Sequence, residues 1–124
     1  MAVSGKELID FASSFKSSTD ETERRAAVSR GYYGCYHEIK AKLNHFDGIV
    51  GLASHEGLIE YLTTSSCHSE SFDNKSMLRL GYALRAMKGN RVKADYHLDV
   101  DLDASESTVF IVSMQSWHSF VKSL

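Results

Sequence analysis

The 124-residue chain contains no proline at all. Average usage of about 5% predicts roughly six. Proline serves well in turns and breaks helix interiors, so its absence favours a mostly helical chain. Cysteine is nearly as scarce: Cys35 and Cys67 are the only two, too few for a disulfide scaffold. An excess of one charge is also missing. Fourteen basic residues against sixteen acidic ones leave a net charge of −2, so any affinity for nucleic acid must come from local clustering. The longest strongly apolar stretch, Val109 to Val112, is far short of the ~20 residues that cross a bilayer. Met1 to Lys16 has no basic region followed by an apolar run, so a cytoplasmic protein with no membrane partner is expected.

Internal repeats and low-complexity tracts are absent too. Apolar residues at 43% and charged ones at 24% argue against disorder. The length suits one domain, residues 1–124, with a single core.

Five amphipathic helices are predicted. Ser4 and Glu7 have capping-box spacing at the start of a helix to Phe15, with Leu8, Phe11, Ala12 and Phe15 as its core stripe. The second helix opens near Thr19 or Asp20 and runs to about Leu43, carrying Val28, Tyr32, Cys35, Ile39 and Leu43 on one face. Asn44 to Ala53 is expected as a loop, and Ser54 to begin a short helix bearing Leu58, Ile59 and Leu62. After a serine-rich loop from Thr63 to Asn74, the residues Met77, Leu80, Tyr82, Ala83, Leu84 and Met87 restore the helical period, which is expected to end or kink near Gly89 and Asn90. Leu98, Val100 and Leu102 alternate with Asp99, Asp101 and Asp103, as a lone strand or a linker would. Ser105 is expected to cap a last helix with Val109, Val112, Trp117, Phe120 and Val121. The expected fold is all-α, an up-down bundle of four to five antiparallel helices.

Charge is clustered where the sequence is most informative. From Arg79 to Lys93 the charged residues are all basic, and from Asp95 to Glu106 acids take over, so Arg91 and His97 lie near the boundary. Arginine keeps its charge and histidine titrates near neutrality, which offers a phosphate clamp and a proton carrier. RNA cleavage without a metal needs a base for the 2′-hydroxyl, an acid for the leaving 5′-oxygen and cations for the phosphorane. One arginine and one histidine supply half of that. On an uninterrupted helix, six residues leave them about 120° and ~9 Å apart. Either the helix breaks between them, or a second chain related by a two-fold axis completes the site.

Two segments resemble the HEPN domains, small helical bundles that dimerise. Arg25, Ala26, Ala27, Val28, Ser29, Arg30, Gly31, Tyr32, Tyr33, Gly34, Cys35, Tyr36 and His37 look like that family's arginine, serine-arginine and tyrosine-tyrosine pattern. Arg91 to His97 fits the arginine, four to six residues, histidine signature of its ribonucleases. The resemblance implies a metal-independent endoribonuclease, a toxin or antiviral effector, acting without a cofactor on single-stranded RNA or tRNA. It implies a homodimer with Arg91 and His97 as the catalytic pair at the interface, and a cognate antitoxin as a partner. The pattern departs from the family where Val92 follows the arginine and where Asp99 stands in place of an adenylylated tyrosine. Ala94, Asp95 and Tyr96 resemble members that partner nucleotidyltransferases, which suggests the alternative of a non-catalytic module binding such a partner, nucleic acid or a nucleotide. A purely structural dimerisation module is the third alternative.

Arg25, Ser29, Arg30, Tyr33, Lys93, Asp95 and Tyr96 are candidates to line the site or bind RNA. Plainer roles compete: Arg91 can pair with Asp95 four residues on, His97 can be a surface residue, and Arg25 can pair with Glu21. Cys35, His37, Cys67 and His68 lack zinc-ligand spacing, and Asp99, Asp101 and Asp103 lack the glycine and glutamate of a calcium loop, so no metal is expected. No serine sits in a glycine elbow.

Overall fold

The computed structural model describes residues 3–44, 46, 55–64 and 70–124. Among them are five helices and no strand: α1 (Gly5–Ser13), α2 (Glu21–Lys42), α3 (His55–Thr63), α4 (Asn74–Tyr96) and α5 (Ala104–Lys122). The protein is an all-α helical bundle. No helix among the described residues is long and apolar enough to cross a membrane.

Four of the five starts are chemically specified. Ser4 and Glu7 form the expected capping box at α1. Asp20, Asp73 and Asp103 accept N–H bonds at the first turns of α2, α4 and α5. Asp103, rather than the expected Ser105, therefore caps α5. Ser54 lies outside the described residues.

The core is built on α2, where Val28, Tyr32, Cys35 and Ile39 are buried as expected. α1 runs antiparallel to it at close range: a Cβ on Gly34 would stand 2.7 Å from the Gly5 carbonyl oxygen, and one on Gly31 would stand 3.2 Å from the Ala12 Cβ. α4 is antiparallel to α2, since Ser29 meets Asp95 and Tyr33 meets Arg91. α5 returns antiparallel to α4. The Trp117 indole donates to the Leu80 carbonyl at 3.1 Å, and Lys93 pairs with Glu106. α1, α2, α4 and α5 thus alternate in direction. The short α3 runs against α4, with Glu56 meeting Lys88 at one end and Leu62 packed over Gly81 at the other.

Two further expectations differ from the structure, and one alternative is decided by it. α1 buries Gly5, Ile9 and Ala12, leaving Phe11 44% exposed, and α5 buries Phe110, Ile111 and Met114 while Val109 is 63% exposed. Ala12, Trp117 and Val121 are buried as expected and Phe15 and Phe120 pack against the core; the apolar residues on these helices outnumber the positions that face the core, so periodicity alone added Phe11, Val109 and Val112 to the stripe. Gly89 and Asn90 neither end nor kink α4. Gly89 faces open space, where glycine costs about 1 kcal/mol without breaking a helix. The 98–103 segment is a linker with turns, not a strand. Its carbonyls are satisfied from α2, with Arg24 Nε donating to Leu102 at 3.1 Å and Arg25 donating to Val100.

Candidate functional site

Arg91 sits about 1.4 turns before the end of α4 by helical geometry, on the face turned to α2. Its guanidinium donates to the Tyr33 hydroxyl and lies 5.0 Å from the Tyr33 ring centre and 5.3 Å from that of Tyr96. Nε is 2.9 Å from Asp95 Oδ2. That contact is an ion pair off the axis of the N–H, so the buried Nε–H has no aligned acceptor among the described residues. Asp95 also accepts from the Ser29 hydroxyl at 3.1 Å, which fixes its carboxylate. Burial disfavours the charge on Arg91, but Tyr33, Asp95 and Tyr96 outweigh it and raise the guanidinium above its ordinary value.

Arg25 has a different task. Its Nη1 donates to the carbonyls of Lys93, Ala94 and His97 at 3.2, 3.1 and 3.3 Å, and Nε meets Glu21 at 2.9 Å. The Lys93 and His97 carbonyls also accept from the His97 and Val100 N–H groups, whereas that of Ala94 is one a helix C-terminus leaves without a partner, so Arg25 caps the end of α4. The His97 backbone leaves helical geometry at φ −108°, ψ 63°, and the residue is exposed. Tyr96, Leu98 and Val100 around it are exposed as well, at 68%, 71% and 45%.

Of the residues singled out from the sequence, Ser29, Tyr33, Arg91, Asp95 and Tyr96 come together. Lys93 faces α5 in its pair with Glu106. Arg30 lies apart, beside Val3, Glu7 and Phe11 of the α1 side. His97 shares the end of α4 with Arg91, but six residues of unbroken chain separate them. Cys35 is a buried free thiol whose ionisation is pushed up by burial, and His37 is exposed, its ring edge-on to Tyr36. Cys67 and His68 lie outside the described residues.

One residue near Arg91 had no signal in the sequence. His55, the first residue of α3, places its ring 5.3, 5.2 and 4.1 Å from those of Tyr32, Tyr33 and Tyr36, with Nδ1 3.0 Å from the Tyr32 hydroxyl. Burial, then the charges of Arg91 and Lys88, lower its proton affinity below the ordinary histidine value. Burial also pushes the Tyr32 hydroxyl well above its ordinary value, so it remains protonated. Tyr33 touches both His55 and Arg91, and that link through a second helix leaves no periodic trace. No family model, curated protein or solved structure matches the chain.

Proposed function

We propose that the chain is a metal-independent endoribonuclease of the HEPN type, in the manner of a toxin or antiviral effector, with a site completed by a second copy. The observation that carries this reading is the end of α4. A guanidinium is held rigidly by Tyr33 and Asp95, and one turn and a half further on an exposed histidine stands where the helix stops. Arginine there holds and neutralises the phosphate as the phosphorane forms, and the histidine exchanges protons with the ribose or leaving oxygen.

The unbroken helix favours a site shared between two chains. No kink brings His97 back over Arg91, so a second copy is the simpler route to convergence. Exposed Tyr96, Leu98 and Val100 flank His97, and apolar side chains grouped in this way are what a partner surface covers. Single-stranded RNA or tRNA is the substrate class.

The test is incubation of purified protein with a labelled single-stranded RNA in chelator. Cleavage should persist, and Arg91→Ala and His97→Ala should each lower it by about 100-fold or more. Full cleavage by either variant would sink the assignment.

A second reading is favoured by the ion pair of Arg91 with Asp95 inside one chain. A guanidinium already neutralised suits a non-catalytic module that binds a nucleotidyltransferase or a nucleotide. Co-purification with such a partner and no cleavage at high protein concentration would select it.

A further inference from the structure

With the Arg91 of one copy and the His97 of the other at each phosphate, a metal-free RNA cleavage is short of one proton-transfer group. In-line displacement at phosphorus puts the attacking 2′-oxygen and the leaving 5′-oxygen on opposite sides of the phosphate. The acid and the base must therefore stand on opposite sides of the cation that holds it. In the proposed shared site the second copy's His97 takes one of these sides. His55 is the histidine of Arg91's own chain that stands beside it, on the Lys88 side, because its neighbour Glu56 pairs with Lys88 one turn before Arg91.

The surroundings of His55 resemble those of a positioned base. Its Nδ1 is held by the Tyr32 hydroxyl at 3.0 Å, and among the described residues no other hydrogen bond engages the ring. A hydrogen bond at one ring nitrogen fixes the direction and tautomer of the other. Tyr33 carries the contact to Arg91, meeting the imidazole edge-on at 5.2 Å while its hydroxyl accepts from the guanidinium. From α2, His55 is also faced by Tyr36 and by the charged or titratable His37 and Lys40; from α4 it is faced by Lys88 and Arg91. Glu56 is the acid beside it on α3, and it is engaged by Lys88. A cationic setting of this kind keeps the imidazole neutral, as a base must be before the reaction.

Resting on the endoribonuclease reading above, we infer that His55 is the general base of the reaction, positioned by Tyr32 and set opposite the second copy's His97 across the Arg91-bound phosphate. The 2′-hydroxyl O–H bond breaks and its proton passes to His55 Nε2. The 2′-oxygen then bonds phosphorus, the bond from phosphorus to the 5′-oxygen breaks, and His97 in its protonated form gives that oxygen a proton. The products are a 2′,3′-cyclic phosphate and a 5′-hydroxyl, with no change of oxidation state. One proton leaves His97 and one arrives at His55.

The experiment compares wild type, His55→Gln, His97→Ala and Tyr32→Phe on two substrates in chelator: a single-stranded RNA oligonucleotide, and a uridine 3′-phosphodiester whose p-nitrophenolate leaves without protonation. His55→Gln should lower kcat on both substrates by about 100-fold or more and abolish the acidic limb of the profile of kcat/KM against pH. His97→Ala should be impaired on RNA and recover most of its rate on the nitrophenyl ester. Tyr32→Phe keeps the ring packing and loses only the hydrogen bond, so it should lower kcat by about threefold to tenfold with KM unchanged. This variant decides the matter if His55→Gln fails to fold, and an unaltered kcat in it would then overturn the assignment. His55→Gln at the wild-type rate overturns the role of His55 and leaves that of Arg91 and His97 standing. A His55→Gln defect that disappears on the nitrophenyl ester makes His55 the acid and overturns the assignment as base. No cleavage by wild type removes both readings together.

Discussion

Two side chains from one segment, Arg25 and Arg30, show how position decides what an arginine does. Arg25 gives its donors to the carbonyls at the end of α4 and to Glu21, whereas Arg30 is exposed beside α1. Removing Arg25 leaves the Ala94 carbonyl without its partner and takes a second donor from those of Lys93 and His97. Arg25→Ala should therefore lose about 2–3 kcal/mol in denaturant unfolding, while Arg30→Ala should stay within about 0.5 kcal/mol of wild type. The sequence presents both as basic residues on one helix, and only the arrival of the α4 terminus distinguishes them. His55 yields a second expectation, on pH. Burial, with Arg91 and Lys88 behind it, sets its folded proton affinity below the unfolded one, so between the two values the unfolded state binds more protons and stability rises with pH. Its contribution is intact above about pH 6.5 and declines as pH falls below that. Melting temperatures at pH 7 and pH 5 should accordingly fall further for wild type than for His55→Gln.

Helices were legible in the sequence as elements and less so as faces. Absent proline, the Ser4 and Glu7 capping box and the α2 pattern from Val28 to Ile39 identify the bundle without any tertiary information. The buried faces of α1 and α5 could not be read in the same way. Ile9 and Phe11, or Phe110 and Val109, are equally apolar, and the choice between them is made by what lies opposite. On α1 that is the glycine pair: Gly5 and Gly34 let the two backbones approach, which turns Ile9 and Ala12 inward. Gly34→Ala would bring a methyl group to 2.7 Å from the Gly5 carbonyl oxygen and should destabilise by about 1–3 kcal/mol. Gly89→Ala meets nothing within 4 Å and should stabilise by about 0.5–1 kcal/mol. Chemical denaturation of the two variants side by side checks both signs, and equal effects would contradict the close crossing of α1 and α2. The same glycine explains why α4 continues to Tyr96: on an exposed face it weakens the helix slightly, and Arg25 secures the end.

At the scale of the whole molecule, the bundle brings three helices to one place. α2 offers Ser29 and Tyr33, α3 offers His55, and α4 offers Arg91 and Asp95, with His97 exposed at the helix terminus. The arginine and histidine spacing was visible in the sequence, and so was the geometric conflict in it. What could not be read was whether a broken helix resolves that conflict, and α4 is unbroken. The central claim is that the proposed ribonuclease site is shared between two copies of the chain. The most direct measurement is the rate of RNA cleavage per chain in chelator, followed over a dilution series with sedimentation on the same samples. The account predicts a specific activity that falls in step with the dimer population and vanishes with it. Full specific activity in a species that sediments at the 13.9 kDa of one chain would contradict it.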